Sequence, residues 1–220
     1  MSQRSEEKIW HASSRKIIIR GKNLVKSYPT FYGYLLHDIG LVIFYVIHGI
    51  SSIPILSPRR KILNEFRGRE VLRKMGVRTT EIIKFSLKKK YLEEKFVADA
   101  STIDDMENIN PTKAIRYAKT IGEITRKLND KGHYFIDNRS SNWMADRGLI
   151  RTDLELFQSG RRNRNFFMFC DMLSFISSIQ DKNVRDGFID GYGKKIEGIR
   201  FSPLLQFFVN FYIRMTDLIF

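Results

Sequence analysis

The sequence predicts an α+β protein with its strands gathered ahead of its helices. Between residues 16 and 97, β-branched and aromatic residues fall in short runs broken by turn signals. From residue 111 onward apolar residues recur at helical spacing instead, as in Ile115, Ala118, Ile121, Ile124 and Leu128. With 220 residues, 43% of them hydrophobic and 13% aromatic, there is enough apolar matter for one medium domain or two small lobes around a cleft.

The first hairpin is expected at 16–28. Three isoleucines in 16–20 favour an extended chain, Gly21-Lys22 turns it, 23–28 returns, and Pro29 ends the pairing. Residues 31–56 are apolar, with Asp38 as their one charge, and Pro54, Pro58 and Arg59-Arg60-Lys61 close them. The run 39–47 is too short to span a bilayer. This insertion reads either as a helix lying on an anionic membrane surface or as a helix packed on the protein or on a second subunit.

A helix is expected over 62–75, where Leu63, Phe66 and Glu70 share one face and Gly76-Val77 ends it. An inward carboxylate at Glu70 requires a cation to meet it. Residues 80–97 read as a second hairpin, with a basic turn at 88–90, and the acidic stretch 98–110 as a linker. A helix follows at 111–130. A polar loop and two short strands fill 132–152, with a turn at Asp146-Arg147-Gly148. Helices complete the chain at 166–179 and beyond. In the last of them, 202–220, Leu204, Phe207, Phe208, Phe211 and Met215 line one face. The domain expectation is an N-terminal lobe at 1–98, carrying the insertion 31–56, and a C-terminal lobe at 99–220.

Lys and Arg outnumber Asp and Glu by 38 to 24, a net charge of +14. That excess favours polyanionic partners: phosphorylated ligands, anionic lipid or, secondarily, nucleic acid. The single cysteine, Cys170, excludes an internal disulfide, and its apolar neighbours mark it as a buried structural thiol. The polar opening residues do not read as a secretion signal, which fits a cytoplasmic protein, and the basic, apolar segments leave room for membrane association.

The polar loop carries the chemistry. It reads Tyr134-Phe135-Ile136-Asp137-Asn138-Arg139-Ser140-Ser141-Asn142, and Asp153 follows in Arg151-Thr152-Asp153-Leu154-Glu155. An Asp with an Asn five positions on, after an amphipathic helix and before a strand pair, resembles the catalytic loop of the protein-kinase-like superfamily. The resemblance is closest to its small atypical branch: the RIO group, the KEOPS-complex kinase and the lipopolysaccharide-core kinases. Gly76-Val77 and Phe188-Ile189-Asp190-Gly191-Tyr192 also look like that branch.

This resemblance implies a two-lobed fold and a kinase that uses ATP and Mg²⁺. Asp137 would accept the proton of the attacking hydroxyl, and Arg139 would contact phosphate. Asn142 and Asp153 would hold the metal. Lys26, in Asn23-Leu24-Val25-Lys26, would meet the α- and β-phosphates, with Glu70 as its ion-pair partner. Residues 92–96, with Glu94 among them, would form the adenine hinge. Asp171 would brace the catalytic loop. The acceptor would be a hydroxyl of a protein, as in serine/threonine kinases, or of a membrane-proximal sugar or lipid.

The chain departs from the family at three places. It lacks a G-x-G-x-x-G loop, Phe135 replaces the usual His, and Glu155 stands where a Gly is expected. The alternative is therefore a pseudokinase or scaffold that binds nucleotide, RNA or a partner without catalysis.

Overall fold

The computed structural model describes residues 8–12, 15–28, 58–98, 100–160 and 164–193. The expectations for 31–56 and 202–220 lie outside the described residues. Strands precede helices, as the α+β expectation requires, and the chain gathers into two compact units. The first unit holds the described residues of Met1–Leu41, Pro54–Thr102 and Ser141–Gln158. The second holds those of Ile103–Ser140 and Ser159–Phe220. The division is thus not a single cut at residue 98: the strand pair beyond residue 141 groups with the first unit.

The first unit is built on a five-stranded sheet in the order β1-β2-β3-β6-β5. β1 (Lys8–Ala12) was not legible in the sequence. It pairs antiparallel with β2 (Arg15–Arg20), with Ala12 opposite Arg15. β3 (Asn23–Ser27) returns from the turn, where Gly21 has a φ of +59° that glycine adopts without steric cost. β5 (Ile82–Ser86) and β6 (Tyr91–Lys95) form the second hairpin, and β6 lies between β3 and β5. Tyr28, Ile62 and Leu92 make the core here, with Phe66, Ile82 and Leu87 against them.

Helix α1 (Pro58–Lys74) buries Lys61, Ile62, Asn64, Glu65, Gly68, Arg69 and Leu72. This corrects the expected face, because Leu63 and Glu70 are exposed. The buried stripe carries a carboxylate and a guanidinium, so hydrophobicity alone selects the wrong side of the helix. Gly68 lets α1 settle closely: a Cβ there would lie 3.1 Å from Leu154 and from Phe157. A second sheet, β4-β10-β9-β7, joins Arg78–Thr79 (β4), Ser101–Thr102 (β7), Trp143–Asp146 (β9) and Gly148–Arg151 (β10).

The second unit is mainly helical. The stretch expected as a linker contains α2 (Ile103–Ile109), because Ile103 and Met106 recur at helical spacing and are buried. Asn110 caps α3 (Pro111–Asp130), accepting from the Lys113 amide at 3.1 Å, and Pro111 starts the helix without losing a needed donor. Short strand β8 (His133–Tyr134) leads into the polar loop. α4 (Arg164–Ser177) and α5 (Lys182–Tyr192) follow. The backbones of α3 and α5 approach so closely that a Cβ at Gly122 or Gly191 would collide with the facing helix backbone. Among the described residues no helix is long and apolar enough to cross a membrane.

Candidate active site

In the first unit, β3 places Lys26 where α1 places Glu65. Their buried ion pair is 2.7 Å long, and Lys26 Nζ lies 3.3 Å from Glu94 and 3.9 Å from Asp153. The expected partner, Glu70, does not take part. It is exposed and pairs with Lys74 one turn along the helix, at 2.7 Å. Helical spacing explains the exchange: Glu65, Gly68, Arg69 and Leu72 follow the buried stripe, and Glu70 falls outside it.

Arg69 locks the arrangement from behind. Its Nη2 meets Glu65 at 2.9 Å and Glu94 at 2.5 Å, and its Nη1 donates to the Thr80 carbonyl and hydroxyl. Thr80 donates in turn to Glu94 at 2.7 Å. The Glu94 side chain is therefore spent within the ion network. The adenine contacts expected of 92–96 need a second correction. β6 is paired on both edges, and the amides of Lys95 and Phe96 donate to Glu81 and Lys22, so the backbone of this stretch is already engaged.

Asp153 and Glu155 share the Arg15 guanidinium: Asp153 at 2.6 Å, and Glu155 through the other terminal nitrogen. Tyr28 donates to Glu155 at 2.8 Å, and Asn64 donates to the Glu155 carbonyl. Asn142 joins this segment through its carbonyl, which accepts from the Thr152 amide and hydroxyl at 3.0 and 3.1 Å. Three cations, Arg15, Lys26 and Arg69, thus face four carboxylates, Glu65, Glu94, Asp153 and Glu155.

The titration of these groups follows from the excess carboxylate. Burial alone would raise the Asp153 pKa, but Arg15 and Lys26 outweigh it and hold the carboxyl far below the usual range. Burial would likewise raise Glu94, yet Lys26 and Arg69 bring it down. Burial would lower Lys26, and Glu65, Glu94 and Asp153 raise it instead. Glu155 moves the other way: burial pushes it up, Asp153 and Glu65 add to the rise, and Arg15 only partly offsets them.

Oxygens of Glu65, Asp153 and Glu155 lie within 4.8 Å of one another. Such hard, anionic donors fit a magnesium ion, which binds through one or two carboxylates and keeps positions for phosphate oxygens. Of the expected metal set of Asn142 and Asp153, the cluster contains Asp153; Glu65 and Glu155 are residues that sequence reasoning did not place there. Glu65 was detectable as the acid one turn before Arg69 on the face that also carries Gly68. Arg15 and Tyr28 gave no signal of their own.

In the second unit, the polar loop is held from α4. Asp171 is fully buried and accepts from the Ile136 amide at 2.6 Å, the Phe135 amide at 3.2 Å and the Asn129 side chain at 2.8 Å. Ser174 accepts from the Asn138 amide at 2.8 Å, and Ser178 from the Ser140 amide at 2.9 Å. Residues 171, 174 and 178 stand at helical spacing, so one face of α4 and its end grips the loop. Asp171 meets the backbone as the bracing role requires.

The same loop carries Asp137 and Arg139. Both are half-buried, and they pair with each other at 3.2 Å. Ile136, just before Asp137, has a φ of +67°, a left-handed conformation that a β-branched residue adopts only under strain of about 1–3 kcal/mol. The bond from its amide to Asp171 secures that conformation. Cys170, next to Asp171, has its pKa pushed up by burial first and by Asp171 second, which makes it a poor nucleophile.

No protein-family model and no curated protein matches the chain. Solved structures do. WaaP, seen in complex with acyl carrier protein, is 13% identical, with a TM-score of 0.53 over 96% of this chain and 88% of that one. The Rio2 kinase of Chaetomium thermophilum, in an ADP/Mg²⁺-phosphoaspartate complex, is 14% identical, with a TM-score of 0.52 over 96% and 70%. APH(2")-IIa, in a ternary complex with streptomycin and ATP, is 9% identical, with a TM-score of 0.56 over 90% and 80%. At these identities the likeness is one of fold. The chain thus shares the two-lobed kinase-like fold of these structures.

Proposed function

We propose that the protein is an ATP- and Mg²⁺-dependent phosphotransferase that moves the γ-phosphoryl group to a hydroxyl. The observation that carries the reading is the buried Lys26–Glu65 pair with Asp153 3.9 Å from the lysine. A pair of this kind fixes one cation beside a metal-binding carboxylate, and phosphoryl transfer asks for little else from a protein besides positioning and charge. Lys26 contacts the α- and β-phosphates. Asp153, with Asn142 and the neighbouring Glu155, binds the metal. When bound, the metal neutralises the phosphate oxygens and the charge that develops on the leaving oxygen.

Asp137 orients the acceptor hydroxyl and takes its proton. The hydroxyl oxygen forms the new bond to phosphorus, and the bond from phosphorus to the bridging oxygen breaks, leaving ADP. Arg139 balances Asp137 and the transferred group. The acceptor belongs to a protein or to a membrane-proximal sugar or lipid; the net charge of +14 supports an anionic surface as its setting. Use of ATP is the basis for a cytoplasmic location.

The test uses γ-labelled ATP with the full chain and candidate acceptors. Asp137→Ala is expected to lower phosphate transfer by at least about a hundredfold, the scale of a lost general base, with ATP affinity unchanged. Full transfer in that variant would remove Asp137 from the mechanism. ATP binding without transfer in the wild type would favour the binding-module alternative.

A further inference from the structure

We propose that Arg15 is a phosphate ligand of the nucleotide site, resting on the Asp153 and Glu155 carboxylates until nucleotide and metal take both partners over. This rests on the reading that the site takes Mg·ATP. Three observations support it.

The first is the division of labour among the cations. Lys26 is engaged by Glu65 at 2.7 Å and Glu94 at 3.3 Å. Arg69 is engaged by the same two glutamates and by Thr80. Arg69 serves the scaffold, and Lys26 stands between it and Asp153, 3.9 Å away. Arg15 is spent on Asp153 and Glu155, two of the three carboxylates of the metal-type cluster. A divalent cation at the Asp153, Glu155 and Glu65 oxygens competes with Arg15 directly, since one cluster of oxygens serves both.

The second is an unspent donor. Arg15 Nε is buried without a hydrogen-bond partner, although the terminal nitrogens are paired. A buried donor left unmade is costly. A phosphate presents several acceptor oxygens in a geometry that suits the planar guanidinium fork.

The third is position. Arg15 opens β2, with its backbone fixed opposite Ala12 at the end of β1. Glycine-rich loops cover phosphates with their bare backbone. The sequence between β1 and β2 reads Ser13-Ser14, without glycine. A guanidinium one residue on supplies donors in its place.

The experiment measures two affinities by calorimetry on the full chain: Mg·ATP, and Mn²⁺ without nucleotide. Arg15→Gln is expected to weaken Mg·ATP at least tenfold and to tighten Mn²⁺, because the competing cation is gone. Arg15→Lys keeps the charge without the fork and is expected to restore only part of the nucleotide affinity. Arg15→Gln combined with Glu155→Gln removes one cation and one carboxylate together. It guards against a single variant that fails to fold and, measured against Glu155→Gln alone, should show the same tenfold loss of Mg·ATP affinity. Unchanged or tighter Mg·ATP binding in the folded variants would overturn the role of Arg15 and reduce it to a counter-ion, with the nucleotide site intact. Failure of the wild type to bind Mg·ATP would overturn the nucleotide reading, and this proposal with it.

Discussion

Two glutamates of α1, five residues apart, have opposite surroundings. Glu65 is buried against Lys26 and Arg69; Glu70 is on the surface with Lys74. Removing one member of a buried ion pair strands the other, so Glu65→Gln should destabilise the protein by about 3 kcal/mol, read from urea unfolding. Glu70→Gln should leave the midpoint where it is. The reverse order would mean that Glu70 is the working partner after all. Acid should act on the same network. Asp153 and Glu94 have folded pKa values below their ordinary range, so the stability they lend is present above about pH 4 and is lost progressively as the pH falls below that toward their depressed folded values. Glu155 has the opposite sign: its raised pKa costs stability as the pH climbs above its ordinary range, and Glu155→Gln should abolish that cost. Urea midpoints at stepped pH, with and without Glu155→Gln, check both signs. Asp137, Asn142 and Asp153 stand out in the sequence by order and spacing, and Asp153 lies 3.9 Å from Lys26 in the ion network. Arg15 and Tyr28 do not stand out, because their meaning comes from Glu155, some 140 and 127 positions away.

At the level of elements, periodicity was a good guide wherever one face is apolar. The stripe of α3 buries Ala118, Ile121 and Leu128 as its spacing predicts. It failed for α1, whose inner face is charged, for the short α2, hidden in an acidic stretch, and for β1, whose pairing with β2 no local signal announces. The contact of α3 with α5 was also illegible, since it depends on missing side chains. A Cβ at Gly191 would meet the Lys119 carbonyl, an obstacle of rigid helix backbone rather than a movable side chain. Gly191→Ala should therefore destabilise by about 1–3 kcal/mol, the scale of overpacking, even though alanine is the better helix former. A rise in the urea midpoint would show that the helices separate more easily than their packing implies. The grip of α4 on the polar loop is a second element-level device. Asp171→Asn keeps the shape but weakens the acceptance of three donors, and the strained Ile136 then has less to hold it. Faster amide exchange at Phe135 and Ile136 is the expected sign.

Across the whole molecule, the α+β class and the kinase-like fold were legible because strands and helices occupy largely separate stretches and the polar loop keeps a telling order of residues. The division into units was only partly legible: residues 141–158 fold with strands that precede them by more than a hundred positions in places. The basic excess of +14 belongs to this scale too, and attraction to vesicles containing anionic lipid should fall steeply with added salt if that charge meets a membrane surface. The central claim is that Lys26, Glu65 and Asp153 form a nucleotide and metal site. The most direct measurement is the melting temperature of the full chain titrated with ATP, with and without Mg²⁺, in the wild type and in Asp153→Asn. A ligand that binds the folded state alone raises stability by mass action, by about 2.7 kcal/mol at a hundred times its Kd. The account predicts a Mg²⁺-dependent rise in the wild type that Asp153→Asn loses. No rise at millimolar ATP, or an equal rise in both proteins, would contradict it.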